Sequence, residues 1–313
     1  MPSRKFAAWA SDPQARLAIV GASGWIGQAL VDQALAEGFP PERIRLFTRT
    51  PRPIAIRGAV FSTEALDDST RLDDGGWIVA HAGIIGPDRA KGDDHLETRQ
   101  RNDALLAQVL GMAQGADVRR LVMMSSGAAR QAPGHVARPA YVEMKRAHEA
   151  RVADWGGKTG TPVLLPRVFN LGGPYINYVR NYALGDFIMG LAGEGQIVLG
   201  AADPVVRSYV HVLELAAVLL EAALDEAQGP EPCDIGGTET VELGDLARMV
   251  ATCLGLVDPV IERPPPLGGA GDIYVADGER YQAILAGLDR TPVPLDQIIT
   301  DTITYLRQMG DIS

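Results

Sequence analysis

Cysteine is scarce: Cys233 and Cys253 are the only two in 313 residues. They stand too far apart for a local metal motif, and two thiols make no secreted disulfide framework. A reducing, cytoplasmic setting is the expectation. The five histidines (His81, His95, His135, His148, His211) lack zinc-ligand spacing, so no metal site is expected. No apolar run reaches the length of a membrane span. Positive charge is also short, with 29 Lys and Arg against 39 Asp and Glu and a net charge of −10. Without a basic run, neither nucleic acid nor an acidic membrane surface is an expected partner. Arg4 and Lys5 have no apolar core behind them, so Met1–Gln14 does not read as a signal peptide. Residues 1–15 are expected to be a short tail.

What remains is ordinary for a soluble globular chain, long enough for one large domain or two closely joined ones. Arg16 to Val20 is a short apolar run stopped by Gly21-Ala22-Ser23-Gly24-Trp25-Ile26-Gly27, and Gln28 to Glu37 then reads as a helix. Glycines between a strand and a helix allow a tight turn and let backbone N–H groups approach a pyrophosphate. A purely structural turn is the plainer alternative. Ile44 to Thr48 is a second strand. Many dinucleotide sites have an acid at its end, but here stand Arg49 and Arg52. A guanidinium suits a 2′-phosphate, so NADP is preferred over NAD, with a solvated surface arginine as the other reading. Ala59 to Ser62 reads as the third strand and Trp77 to Ala80 as the fourth. His81-Ala82-Gly83 follows, with small residues where a cofactor would pass and His81 a packed strand-end residue. Pro87 to Asp94 is a loop that could border the active site. Leu96 to Gly115 is a long helix containing Asn102, which as a helical asparagine reads as exposed. Leu121 to Met124 is the fifth strand, followed by Ser125-Ser126-Gly127, and Thr161 to Leu165 the sixth. Alternating strands and helices imply an α/β fold with a Rossmann-type, doubly wound parallel sheet.

Between the last two strands lies Tyr141-Val-Glu-Met-Lys145. On a helix that spacing puts both polar ends on one face. A nearby ammonium favours the phenolate, so the tyrosine becomes a usable acid/base. Alone, the stretch reads first as an ordinary amphipathic helix turn with Tyr packed and Lys solvated.

Taken in order, these motifs resemble the extended short-chain dehydrogenase/reductases, the NAD-dependent epimerase/dehydratase family. Gly21, Gly24 and Gly27 match its glycine turn, Asn102 its helix asparagine, Ser125-Ser126 its serine pair, and Tyr141 with Lys145 its Tyr-x-x-x-Lys. Pro166-Arg167-Val168-Phe169-Asn170, Val206 to Glu214 and Cys233 to Gly237 resemble later family segments. The resemblance implies Tyr141 as general acid/base, Lys145 as its tuner and ribose ligand, Ser126 (with Ser125 as fallback) as the hydroxyl that orients substrate, and Asn102 as support for cofactor or proton relay. It implies that Gly21, Ser23, Gly24, Trp25, Ile26, Gly27, Arg49, Ala82 and Gly83 border the dinucleotide, with Val168 and Phe169 beside the nicotinamide. Asn170 and Arg207 would meet the substrate, often a nucleotide sugar; a surface ion pair is the other reading of Arg207. Dimerisation through the two long helices is a further family expectation.

The dinucleotide domain is expected over 16–172. A smaller, interleaved α/β substrate lobe is expected over 173–313, with segments that can return to the first domain. Helices are expected near Leu184 to Leu191, at Val212 to Leu224, at Leu243 to Leu254 with Glu242 as cap, and at Asp296 to Gln308; Pro264 to Gly269 is a loop. Gly127 and Ala128 stand where dehydratases carry Asp-Glu, and no cysteine precedes Cys233, which weakens dehydratase and 3,5-epimerase readings. A ketoreductase using NADPH is the leading expectation. An NAD-dependent nucleotide-sugar 4-epimerase is the alternative, and a non-catalytic dinucleotide sensor the second. Arg130 replaces a family aromatic, so hydroxysteroid- or flavonoid-type ketones stay open as substrates.

Overall fold

The computed structural model describes residues 5–85, 95–130 and 139–313. The chain divides into two compact units: Met1–Val168 with Ala216–Cys233, and Phe169–Leu215 with Asp234–Ser313. The first unit thus ends slightly before the expected boundary and takes back a later segment. Buried Arg120 explains the return. Its guanidinium donates to the carbonyls of Ala223 (3.1 Å), Asp225 (2.8 Å) and Gln228 (2.9 Å), so that segment satisfies a charge inside the first unit.

The expected tail holds a helix, α1 (Lys5–Ala10). Phe6 and Trp9, three residues apart and so on one face, are buried against Phe39, with Trp9 and Phe39 stacked at 5.2 Å. Six residues carry too little periodicity to announce a helix; the aromatic anchors hold it.

The first unit continues with β1 (Ala15–Val20), α2 (Trp25–Ala36), β2 (Ile44–Phe47), β3 (Ile54–Ile56), β4 (Ala59–Phe61), β5 (Thr63–Glu64), β6 (Gly76–His81), α3 (His95–Ala113), β7 (Val118–Met123), β8 (Ser125–Ser126), α4 (Pro139–Thr159), β9 (Val163–Leu164) and β10 (Pro166–Val168). Six strands pair in parallel in the order β5-β2-β1-β6-β7-β9. The chain winds outward from β1 on one side, then returns and winds outward from β6 on the other. The switch point therefore lies between β1 and β6, where sheets of this kind bind ligands. Near-continuous apolar runs in β1, β6 and β7 follow from burial on both faces, with Val20, Phe47, Trp77, Leu121 and Val152 in one core.

Ala59–Phe61 is a strand, but not the third of this sheet. It pairs antiparallel with β3 through a two-residue turn, Arg57-Gly58, whose φ angles are both positive (49° and 78°). Such a turn matches the twist of a tight hairpin. The third sheet position falls to β5, with Leu46 opposite Thr63.

In the second unit, β11 (Asn170–Gly172) and later β17 (Asp272–Tyr274) run parallel to β13 (Val205–His211), and β15 (Thr240–Glu242) runs antiparallel to it. α5 (Ala183–Glu194) precedes β12 (Gln196–Val198), which pairs with β16 (Val260–Glu262). α6 (Val212–Ala222) leads into the returning segment and β14 (Cys233–Ile235) out of it. α7 (Leu243–Leu254) begins as expected, with Glu242 accepting from the Gly244 N–H at 2.6 Å. α8 (Glu279–Gly287) is not foreseen, while α9 (Leu295–Met309) is. Pro264 to Gly269 has no regular structure. Among the described residues no helix is long and apolar enough to cross a membrane, and no cluster of His, Cys, Asp or Glu could hold a metal ion.

Candidate active site

At the end of β1 the N–H groups of Gly21 and Ala22 both donate to the Phe47 carbonyl, at 2.9 and 3.1 Å, which turns the chain into α2. Gly21 sits at φ 84°. A Cβ there would lie 2.5 Å from the Gly83 backbone, and one on Gly27 would lie 2.2 Å from the Gly21 carbonyl oxygen. Three backbone segments therefore meet with no room for side chains. Gly24 caps α2 without any side-chain bond, and the first turn holds no acid. An uncapped, acid-free helix start behind bare backbone fits a pyrophosphate. Ser23 and Ile26 are half-buried beside this turn and Trp25 is buried. Ala82 is held by its N–H to the Val20 carbonyl at 2.9 Å, which keeps Ala82 and Gly83 at the end of β1. Arg49, just beyond β2, is exposed and among the described residues makes no ion pair.

Asn102 is not an exposed helix residue: it is buried. Its side-chain oxygen accepts from the Ile85 N–H (2.9 Å), and its amide nitrogen donates to the carbonyls of Ile85 (2.8 Å) and Thr98 (2.8 Å). One amide hydrogen and the side-chain oxygen thus clasp the chain after β6 to α3, and the other amide hydrogen is spent within α3. This geometry makes Asn102 a positioning residue. Pro87 to Asp94 lies outside the described residues.

The serine pair divides by strand alternation. Ser125 is buried, and its hydroxyl donates to Glu149 Oε1 at 2.5 Å. Glu149 also takes Arg167 Nε (2.9 Å) and Nη2 (2.7 Å), a sheltered two-pronged ion pair. Ser125 is therefore committed to the interior. Ser126 is half-buried, with its Oγ accepting from the Ala128 N–H at 3.2 Å.

Tyr141 and Lys145 stand one turn apart on α4, Tyr141 half-buried and Lys145 buried. Lys145 Nζ donates to the Met124 carbonyl at 3.0 Å. Burial pulls its pKa down to about 8, against the Glu149 carboxylate, which pulls upward. His81, also buried, is pushed down to about 3 by desolvation and by the charges of Lys145 and His148, so it is neutral at working pH. Among the described residues its Nδ1 has no hydrogen-bond partner. His148 Nε2 bonds Asp103 Oδ1 at 2.7 Å, tying α4 to α3, and burial lowers its pKa.

Sequence reasoning missed Glu149, whose signal was its place four residues after Lys145. Arg167 stands in a segment that resembles the family, which by itself assigns it no role. Lys145 and Glu149, one turn apart, hold Met124 and Ser125, and so fix the backbone that presents Ser126.

Val168 closes the first unit, buried in β10 opposite Ser126. In the second unit, Phe169 is buried and its N–H donates to the Ile235 carbonyl at 3.0 Å. The Asn170 side chain donates to the Ser208 carbonyl at 2.9 Å, joining β11 to β13. Arg207 pairs with Asp272 at 2.6 Å, the ion-pair alternative left open by the sequence.

Several solved structures share the fold. The epimerase Mth375 from Methanothermobacter thermautotrophicus is 16% identical, covering 98% of this chain and 95% of its own, with a TM-score of 0.75. UDP-glucose 4-epimerase with UDP-glucose, from Thermotoga maritima, is 17% identical (94% and 99%, TM-score 0.71). RMD from Pseudomonas aeruginosa, complexed with NADPH, is 17% identical (94% and 99%, TM-score 0.68). No curated protein matches the sequence. Residues 17–236, from β1 to just past the late β14 strand, match the sequence model of the NAD dependent epimerase/dehydratase family. With the glycine turn, the serine pair and the Tyr141–Lys145 helix lying inside that span, the chain belongs to this family and is an enzyme of the extended short-chain dehydrogenase/reductase type.

Proposed function

We propose that the enzyme interconverts a secondary hydroxyl and a keto group on a nucleotide sugar, with Tyr141 moving the proton. The observation that carries this reading is a half-buried tyrosine one turn from a buried lysine whose pKa is drawn down to about 8. Bound in the glycine cradle, the nicotinamide dinucleotide would supply or accept the hydride. Ser126 hydrogen-bonds the substrate oxygen. Tyr141 gives it a proton when the carbonyl is reduced and takes one when the alcohol is oxidised. The Lys145 ammonium favours the phenolate and so brings the tyrosine toward working pH. Asn102 acts by holding the chain after β6. Val168 and, in the second unit, Phe169 are the nicotinamide-side candidates, and Asn170 and Arg207 the substrate-side ones. A homodimer built through α3 and α4 belongs to the same reading.

Two reactions stand on different observations. Exposed Arg49 beyond β2, in no ion pair among the described residues, supports NADPH and a ketoreductase. UDP-glucose and UDP-N-acetylglucosamine 4-epimerases among the structural relatives support a 4-epimerase with retained NAD. Mass spectrometry of small molecules carried through native purification separates them. Retained NAD with a UDP-sugar selects the epimerase. An empty protein that oxidises NADPH in proportion to a keto-sugar consumed selects the reductase. A protein that binds dinucleotide yet turns over no sugar or ketone defeats the proposal in favour of a sensor.

A further inference from the structure

On α3 and α4, a cation and a carboxylate four residues apart meet where they are exposed: Arg99 with Asp103 at 3.7 Å, and Lys158 with Asp154 at 2.6 Å. Lys145 and Glu149 have the same spacing on α4 and are both buried, where attraction between charges is screened least. Among the described residues no ion pair joins them.

The reason lies in who holds the carboxylate. Glu149 Oε1 accepts from the Ser125 hydroxyl at 2.5 Å and from Arg167 Nε at 2.9 Å, and Oε2 accepts from Arg167 Nη2 at 2.7 Å. The guanidinium fork thus spans both oxygens. Arg167 does not depend on Glu149 for its place, because β10 pairs with β8 in a register that sets Arg167 opposite Ser125. Lys145 Nζ is left to the Met124 carbonyl at 3.0 Å, which uses one of its three N–H groups. The other ionisable groups around the ammonium are His81 on β6, which is neutral, Tyr141 on α4, and His148 on α4, which is bonded to Asp103 of α3. Glu149 is therefore the carboxylate placed to capture Lys145, and Arg167 occupies it.

We propose that Arg167 is a positioning residue for Lys145: by taking both oxygens of Glu149 it keeps that carboxylate from pairing with the ammonium, which stays available to Tyr141 one turn away. This rests on the reading that Lys145 serves Tyr141. A lysine neutralised by a direct carboxylate partner would favour the phenolate less. The lowered pKa of Lys145, about 8, agrees with a buried ammonium that Glu149 attracts without pairing.

The test is thermal unfolding of the full-length protein against pH, each variant being compared with its own Lys145→Met derivative, so that the difference reports the lysine. In wild type that difference should shrink from about pH 8 upward and be gone by pH 10.5, since a lysine with a lowered pKa costs stability that is recovered between its folded and unfolded values. Arg167→Met releases Glu149 to Lys145, and the onset should move up by about one pH unit or more. Adding Glu149→Gln should bring the onset back to the wild-type value or below, a reversal that mere loss of packing does not produce. Arg167→Lys keeps the charge but not the fork; it should move the onset less, and it carries the comparison should Arg167→Met fail to fold. Hydride transfer with UDP-sugars and keto-sugars should slow about tenfold in Arg167→Met and recover in part in the double variant. An onset that stays or falls without the Arg167 fork, an upward shift that persists in the double variant, or an upward shift with an undiminished rate overturns the role of Arg167. A wild type that turns over no sugar overturns the reading of Tyr141, while the unfolding data still decide whether Arg167 keeps Glu149 from Lys145.

Discussion

Replacing Gly24 and Gly27 by alanine, one at a time, separates dinucleotide binding from helix packing in the same turn. Gly27 lies inside α2, where alanine is favoured over glycine by about 1 kcal/mol on propensity alone. Its new Cβ would stand 2.2 Å from the Gly21 carbonyl oxygen and 2.8 Å from the Ala22 Cα, both backbone. Relief requires α2 to move off the turn, an overpacking cost of about 3 kcal/mol. The balance is a net loss of about 2 kcal/mol, or a Tm lower by about 4–8 °C. Gly24 has φ −81° and ψ 169°, open to any residue, and its Cβ would meet only the Gly21 oxygen, at 3.1 Å. Gly24→Ala should keep its stability within about 1 kcal/mol of wild type. Its methyl enters the open side of the helix start, where the proposed function would seat the pyrophosphate. Dinucleotide Kd should rise at least about fivefold, by the same overpacking scale. Differential scanning fluorimetry and a fluorescence titration with NADPH and NADH read the two quantities. A Gly27→Ala protein more stable than wild type, or a Gly24→Ala protein with unchanged affinity, refutes the close-packed cradle.

Lys145→Met should stabilise the protein and abolish turnover. Native burial lowers the lysine pKa from 10.5 to about 8. The unfolded chain therefore holds the proton more tightly, and wild-type stability rises as pH climbs from about 8 to 10.5. Removing the amine should add up to about 3 kcal/mol at pH 7, less about 1 kcal/mol for the Met124 carbonyl left without its donor. The gain should fade by pH 10.5, as Tm measured against pH will report. Ser126→Ala should lower kcat about a hundredfold or more, whereas Ser125→Ala should leave kcat within a few-fold and lower Tm, since its hydroxyl serves Glu149; steady-state rates with a matched substrate decide. Arg49→Ser should weaken NADPH at least about tenfold and leave NADH unchanged, the loss of a charged hydrogen bond to the 2′-phosphate. Equal effects on both cofactors in a titration would place Arg49 away from that phosphate.

Where sequence patterns carry their own geometry, they were readable. The glycine turn at Gly21 and the Tyr141–Lys145 spacing are local, because a strand–turn–helix and a four-residue step fix relative positions in the backbone itself. The sheet was legible for the same reason in its long apolar strands. It failed at Ala59, because an Arg57-Gly58 hairpin and a two-residue strand are decided by positive φ angles and pairing partners rather than by hydrophobic period. The segment from Ala216 to Cys233 returns to the first unit through buried Arg120 and through bonds from Lys5 and Phe6 to Glu221 and Asp225, long-range contacts that no window of sequence contains. Asn102 and Ser125 show the limit for sites. Residue type named both as candidates, but only their partners, Ile85 and Glu149, show that each is spent on holding the site in shape.

In the proposed reaction Tyr141 moves a proton beside a bound nicotinamide dinucleotide. Tyr141→Phe removes one oxygen and leaves the cradle untouched. Absorbance at the reduced-nicotinamide band should be followed in single-turnover mixtures of enzyme, dinucleotide and a panel of UDP-sugars and keto-sugars, alongside dinucleotide Kd. Tyr141→Phe should show an unchanged Kd and a hydride-transfer rate lower by about 10²–10⁴-fold. Hydride transfer at the wild-type rate in that variant, or a wild-type protein that binds neither NAD nor NADP, would contradict it.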